Sequence, residues 1–265
     1  LVGSEMCIRD RKYCFSHSIR CYMSPKISDI ILLGTDRIHL FDTPLLMCRN
    51  QGLSMEQRAA KRVLDIIVSG LGIIVSSPIM LIIAIAVKAY DGGPVFYLQD
   101  RLTYQGKEFR IRKFRSMCVD SEKNGARLAS KHDSRITPVG HVLRNLHLDE
   151  LPQLFNVFMG DMSLVGPRPE RDVIMQEYEQ EIPEFHYRLK VKAGLTGYAQ
   201  VYGKYNTTPY DKLKLDLFYI ENYSFLLDIK LLFMTVKIFF QKEVSEGVDD
   251  NQKNALKAVS YTHLR

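Results

Sequence analysis

From Val63 to Val87 the chain is apolar except for Asp65 and a few small polar residues. As a helix rising ~1.5 Å per residue, this run covers roughly 37 Å, against a bilayer hydrocarbon core of about 30 Å. Ser76, Ser77 and Pro78 stand in its middle, and proline removes one helical hydrogen bond and kinks the helix around it. Arg58, Lys61 and Arg62 flank the start. Lys88, Arg101, Lys107, Arg110, Arg112, Lys113 and Arg115 follow the end. Basic flanks mark the cytoplasmic side of a membrane segment, and a single span cannot place both of its flanks there. A helix that enters, breaks at Ser77-Pro78 and leaves on the same side can. The expectation is therefore a re-entrant helix-break-helix; a full span and a buried helix of a soluble domain are the alternatives. Asp65 is costly in mid-membrane, and its spacing from Lys61 and Arg62 predicts an interfacial ion pair.

Around this segment the chain reads as a globular protein. Of its 265 residues, 46% are hydrophobic and 25% charged, which excludes a disordered chain. The net charge of +6 suits an anionic partner, whether nucleic acid, a phosphate-bearing substrate or anionic lipid. The five cysteines form no C-x-x-C pair, so neither a disulfide framework nor a zinc site is expected, and a reducing cytoplasm is. His132, His141 and His147 show no H-E-x-x-H arrangement.

The opening SEMCIRDR and closing VSYTHLR read as translated cloning or adapter sequence and are set aside. Ile30–Leu33 with IHLFDTPLL predicts a strand and a turn, in a stretch, 1–55, that reads as the remnant of an upstream region. Residues 56–90 form the membrane segment, 91–248 a catalytic domain and 249–265 a tail. Within the domain, VFYLQ and EFRIRKFRSM predict two strands around a turn at Gly106. Residues 120–135 read as a loop. Val139–Leu146, Leu151–Phe158, Asp172–Glu181 and Tyr210–Tyr223 predict helices. Leu226–Phe240, with Lys230, Lys237 and Lys242 along it, suits a helix in a membrane interface or in a core. The fold class expected is α+β and mainly helical: a re-entrant membrane helix plus a small cytoplasmic domain with short strands and interfacial amphipathic helices.

Four stretches carry possible chemistry. Asp149 and Glu150 precede Pro152, a residue favoured in the first turn of a helix. The pair can be an ordinary cap for free N–H groups. It can equally hold a cation, because adjacent carboxylates repel unless a positive charge lies between them, and Mg²⁺ is bound by one or two carboxylates together with substrate phosphates. In GDMSLVGPRPE, Pro167 and Pro169 fix the backbone on both sides of Arg168, and a held guanidinium suits phosphate recognition; a plain proline-rich turn is the alternative. KFRSM, with Lys113 and Arg115, is either a substrate strand or a basic strand facing lipid headgroups. KAGLTGYAQVYGK, Lys192–Lys204, has glycines that allow close backbone approach to a ligand, with Gln200 among them; it matches neither the P-loop nor the dinucleotide pattern.

The order of these stretches is more specific than any one of them. A basic-flanked broken helix, KFRSM, RITPVGHVLRNLHLDELPQLFNVFMGDMSLVGPRPE and KAGLTGYAQV together resemble the bacterial sugar transferase family, the monotopic phosphoglycosyl transferases, over about Lys61 to Val248. TPYDKLKLDLFYIENYSFLLDIKLL resembles its exopolysaccharide-initiating branch. The resemblance implies a helix broken at Ser77 and Pro78 in the bacterial cytoplasmic membrane, with the catalytic domain on the cytoplasmic side. It implies transfer of a sugar-1-phosphate from a UDP-sugar to undecaprenyl phosphate, with release of UMP, as the first membrane step of exopolysaccharide or capsule assembly. It makes Asp149 the nucleophile of a covalent phosphosugar intermediate and Glu150 the residue linked to Mg²⁺. Lys113, Arg115, Pro167, Arg168, Pro169 and Gln200 fall on the substrate side. No nucleic-acid partner is implied, and a homo-oligomer is compatible with it. Glucose and galactose fit the branch, though no residue selects between them. Two positions depart from the family pattern: Thr103 replaces a glycine, and His147 stands where small hydroxyl residues are frequent. The competing class is a non-enzymatic basic scaffold that recruits anionic lipid or assembly enzymes.

Overall fold

The computed structural model describes residues 2–3, 8–47, 53–119, 133, 135–203 and 207–239. The expected tail at 249–265, most of the loop at 120–135, His132, Lys204 and Lys242 lie outside the described residues. The chain divides into two compact units, Leu1–Asn50 and Gln51–Arg265. In the first, β1 (Val2–Gly3) pairs in parallel with β2 (Tyr22–Met23), helices α1 (Ile8–Ser16) and α2 (Ile27–Leu33) flank the second strand, and β3 (Asp36–Leu40) and β4 (Thr43–Met47) form an antiparallel hairpin. The expected strand at Ile30–Leu33 is corrected: those residues finish α2, whose Ile27 and Ile30 are buried, and the hairpin comes after it, turning on Phe41 at φ 53°.

The second unit opens with α3, Met55–Asp91, a helix of 37 residues. Ser54 Oγ accepts from the Gln57 amide at 3.2 Å and Gln57 Oε1 from the Ser54 amide at 2.9 Å, a reciprocal cap. At the other end Gly92 takes the left-handed conformation (φ 70°) and its N–H closes on Lys88 O, as a helix stop requires. The helix is continuous through Ser77 and Pro78. This differs from the expected helix-break-helix, and the reason is local. Pro78 has no N–H for the carbonyl of Ile74, and Ser77 Oγ donates to that carbonyl instead, at 2.8 Å; Ser76 Oγ donates to Gly72 O at 2.6 Å. The hydroxyls satisfy what the proline leaves open, so the turn survives. The helix is long and apolar enough to cross a membrane, and Ile67, Leu71, Ile74, Val75, Leu81, Ile82 and Ile85 along it are exposed.

Asp65 does not pair with Lys61 or Arg62 in the expected interfacial bridge. Lys61 Nζ meets Asp228 Oδ2 at 2.6 Å, Arg62 donates to the carbonyls of Val157 and Phe158 at 2.7 Å each, and Asp65 accepts from Ser163 and Leu164. Spacing along one helix offered these groups to each other, but burial against other elements gave each a closer partner.

The two predicted strands form an antiparallel ribbon, β5 (Phe96–Leu102) with β6 (Glu108–Phe114), in register from Phe96↔Phe114 to Leu102↔Glu108. Its turn uses Gln105 and Gly106 at positive φ. Thr103, the departure noted above, adopts ordinary extended backbone (φ −130°) and accepts the Ala193 amide at 3.1 Å, so the local turn does not need glycine there. Then come α4 (Pro138–Asn145), a single 3-10 turn (Leu148–Glu150), α5 (Gln153–Met159), β7 (Ser163–Val165), α6 (Asp172–Glu181), a 3-10 stretch (Pro183–Lys190), β8 (Gly194–Thr196), α7 (Tyr198–Tyr202), α8 (Pro209–Glu221) and α9 (Phe225–Phe239). Met80, Ile83 and Val87 of α3 share one core with Phe114 and Leu143, and Leu148 and Leu151, on either side of the acidic pair, pack against it. β7 and β8 pair in parallel, Ser163↔Gly194 and Val165↔Thr196. In α9, Asp228 and Leu231 are buried while Leu226, Phe233 and Val236 are exposed, the two-faced pattern expected of it.

Candidate active site

The acidic pair sits in the 3-10 turn between α4 and α5. His147, which precedes it, takes the left-handed conformation at φ 52°, an uncommon one for a side chain of this size. The capping alternative is not realised. The N-cap of α5 is Pro152, and no side chain caps that helix. Among the described residues the Asp149 carboxylate has no hydrogen bond or ion pair. Glu150 is held firmly: its Oε1 accepts from Lys113 Nζ at 2.7 Å and from Arg168 Nη2 at 2.8 Å.

Three elements supply these groups. Lys113 comes from β6, opposite Tyr97 in the ribbon. Glu150 comes from the turn, and Arg168 from the loop after β7. That loop is fixed from several sides. Pro167 O accepts the Gly194 amide at 2.8 Å, Arg101 Nη1 donates to Pro169 O at 3.0 Å, Arg188 Nη2 donates to Arg168 O at 3.0 Å, and the Leu102 amide donates to Glu170 O at 3.0 Å. Pro167 and Pro169 are buried, whereas the Arg168 side chain is 49% exposed and, among the described residues, has no acceptor besides Glu150. The backbone is rigid and the guanidinium is open.

The electrostatics separate the two carboxylates. Burial opposes ionisation of Glu150, but the charges of Arg168 and Lys113 and their hydrogen bonds outweigh it and hold its carboxyl well below the usual range. Asp149 goes the other way: burial pushes its carboxyl up, Lys113 opposes this and the charge of Glu150 adds to it. Burial lowers the Lys113 ammonium, against the attraction of Glu150, and Glu150 raises the Arg168 guanidinium. One carboxylate is thus fixed in its charged form, and its neighbour is left more basic and without a partner.

The fit to Mg²⁺ can be tested on the donor atoms. Among the described residues, Glu150 Oε2 and both oxygens of Asp149 carry no hydrogen bond, so two neighbouring carboxylates present free oxygens. Among the described residues there is no cluster of three or more potential metal ligands. The donor set therefore suits a cation that takes its remaining ligands from phosphate and water, the mode that Mg²⁺ prefers.

Not every expected site residue joins this group. Arg115 is 7% exposed, and both of its terminal nitrogens bind Asp91 at the end of α3. It ties helix to domain: its amide donates to Val95 O at 2.9 Å and its guanidinium packs against Gly93, so among the described residues its charge is engaged with Asp91. Gln200 lies in α7 with its amide folded back toward Gly197, whose neighbour across the parallel pair is Gly166. Among the described residues both atoms of its side-chain amide are buried without a hydrogen-bond partner, and no bond links it to Glu150. Arg101, expected only as part of the basic flank, and Arg188, which carried no expectation, both fix the loop. Their local surroundings do not reveal this role, since each acts on a carbonyl far along the chain.

The family profile described as bacterial sugar transferase matches residues 56–242. The chain is 44% identical over 180 residues to a UDP-N-acetylgalactosamine-undecaprenyl-phosphate N-acetylgalactosaminephosphotransferase of Aeromonas hydrophila, covering 67% of this chain and 43% of that protein. It is 43% identical over 208 residues to a UDP-glucose:undecaprenyl-phosphate glucose-1-phosphate transferase of Klebsiella pneumoniae, covering 77% and 43%. It is 36% identical over 237 residues to an undecaprenyl-phosphate galactose phosphotransferase of Salmonella typhimurium, covering 83% and 49%. The chain spans less than half the length of each of these relatives. With a profile that runs from the first turn of α3 to just beyond α9 and takes in the whole ionic site, the chain belongs to the bacterial sugar transferase family.

Proposed function

We propose that this chain transfers a sugar-1-phosphate from a UDP-sugar to undecaprenyl phosphate and releases UMP. The observation that carries the reading is the division of labour in the acidic pair. Asp149 is unpartnered and made more basic by burial, while Glu150 is fixed beside it by Lys113 and Arg168. In the first step an Asp149 oxygen attacks the phosphorus that bears the sugar. The bond to the bridging oxygen breaks, and UMP leaves with that oxygen. In the second step a phosphate oxygen of the polyprenyl phosphate attacks the same phosphorus, and the Asp149 carboxylate is released. Arg168 has N–H groups to spare for the phosphoryl oxygens, and its fixed backbone keeps them aimed without reorganisation. Bound Mg²⁺, held by Glu150 and Asp149, would supply charge neutralisation for the diphosphate. The relatives' names carry three different sugars, and the sugar used by this chain is open.

The same reading places the domain at the cytoplasmic face of the bacterial inner membrane. Both ends of α3 are fastened to one unit, through Arg62 and Asp65 at the start and through Val87 and Asp91 at the end. A straight span would hold one of these sets of partners across the hydrocarbon core. A helix that dips into one leaflet and returns, bent at Pro78 with the Ile74 carbonyl taken by Ser77 Oγ, keeps both.

The test uses the full chain in nanodiscs with a panel of UDP-sugars, Mg²⁺ and undecaprenyl phosphate, with UMP as the readout. Asp149→Asn is expected to reduce UMP release by at least about 1,000-fold, as loss of a covalent nucleophile does. Undiminished release by this variant removes the assigned nucleophile. If no UDP-sugar yields UMP, the scaffold reading takes its place.

A further inference from the structure

Asp65 is a buried carboxylate, 3% exposed, on an otherwise apolar stretch of α3. Its Oδ1 accepts from Ser163 Oγ at 3.0 Å and from the Leu164 amide at 2.9 Å. The second bond explains why a carboxylate stands there. β7 pairs with β8 through Ser163 and Val165, and alternation along a parallel strand turns the N–H of Leu164 to the opposite edge. Among the described residues no strand lies on that edge. The Asp65 side chain takes the place of one, so an amide that would be buried and unsatisfied has an acceptor.

The segment that follows leaves little freedom. Tyr219 Oη donates its single proton to Asp228 Oδ1 at 2.7 Å and lies 3.3 Å from Val165 O, and Asp228 pairs with Lys61 of α3. Gly166 N donates to Thr196 O and Pro167 O accepts from Gly194 N, each at 2.8 Å. A Cβ on Gly166 would lie 2.4 Å from Lys192 O, so the strand ends cannot separate or slide without losing these contacts. Arg168 is the next residue with an exposed side chain.

We infer that Asp65 is a positioning residue: it sets β7 against α3 and, through Gly166 and Pro167, fixes where the Arg168 guanidinium meets Glu150. The membrane helix and the phosphate-facing arginine are then one mechanical unit, joined by polar bonds inside an apolar contact. This inference rests on the transferase reading for its kinetic consequences, though not for its structural ones.

The experiment is a double-mutant cycle on the full chain in nanodiscs, with UMP release as one readout and hydrogen exchange at residues 163–170 as the other. Asp65→Ala is expected to lower kcat/KM about 10-fold, and the same change in an Arg168→Ala background to lower it less than about 2-fold, because a residue acting through another loses its effect when that other is gone. Asp65→Asn keeps an acceptor oxygen and is expected to stay within about 3-fold of the parent. A full loss in the Arg168→Ala background, or an Asn variant as poor as the Ala variant, overturns the inference. Exchange at 163–170 is expected to quicken in Asp65→Ala and to match the parent in Asp65→Asn; unchanged exchange in the Ala variant also overturns it. Ser163→Ala removes only the hydroxyl bond and serves, with a smaller expected loss, if Asp65→Ala does not fold. If the parent itself yields no UMP, the transferase reading has failed, and the exchange measurement alone decides the positioning role.

Discussion

Glu150 and Asp149 are covalent neighbours with opposite surroundings, and the difference lies in what each faces. Lys113 and Arg168 share one oxygen of Glu150, while burial without a partner acts on Asp149. A similar contest marks Asp216, behind the arginine loop. It is 1% exposed and pairs with Arg188 at 2.8 Å, yet burial outweighs the arginine and its carboxyl is pushed up from 3.8 to about 6. Because the folded value lies above the unfolded one, the native state holds an extra proton between them, and this residue's contribution to stability falls as pH rises from about 4 to about 6. In Asp216→Asn that slope is expected to disappear. Urea unfolding in detergent at a series of pH values checks it, and parallel curves for parent and variant would show that Asp216 does not titrate in this window. Asp216→Asn should also be the less stable protein above pH 6, because Arg188 keeps its buried charge without a full counter-charge.

At the scale of the element, α3 shows how a proline can stay inside a helix. The Ile74 carbonyl, left open by Pro78, is taken by Ser77 Oγ. Ser77→Ala is expected to cost about 1 kcal/mol in unfolding measurements. In a Pro78→Ala background the cost should fall below about 0.5 kcal/mol, because the new amide N–H reaches Ile74 O by itself. Equal costs in both backgrounds would show that the hydroxyl does not serve the proline's gap. The ribbon β5–β6 was legible because alternation and a Gly-containing turn are local signals. The pair β7–β8 was not: each strand is three residues long and its partner lies about thirty residues away, so no window of sequence contains the pattern. The capping alternative for the acidic pair is not realised, for a local reason. Pro152 itself opens the helix, and the acidic pair belongs to the turn before it.

For the whole molecule the deciding feature is that one domain holds α3 at both ends. Single cysteines at Ser54 and Gly92, just outside the two helix ends, are expected to react with an impermeant maleimide only from the cytoplasmic face of membrane vesicles. Labelling of one position from each face would make α3 a span and would separate the Asp65 contact from the Arg115–Asp91 contact by a bilayer.

The sequence by itself determined the membrane segment, the mainly helical α+β class, the acidic pair and the proline-flanked arginine, because each is written in consecutive residues whose polarity and backbone restriction act locally. It also carried the family, through the order of its motifs. Only the tertiary structure decided the partners. It sent Arg115 to Asp91, took Asp65 from Lys61 and gave it to β7, and placed Arg101 and Arg188 around the arginine loop. A buried charge or an orphaned amide is satisfied by whatever the fold brings within hydrogen-bond reach, and that distance has no counterpart along the chain.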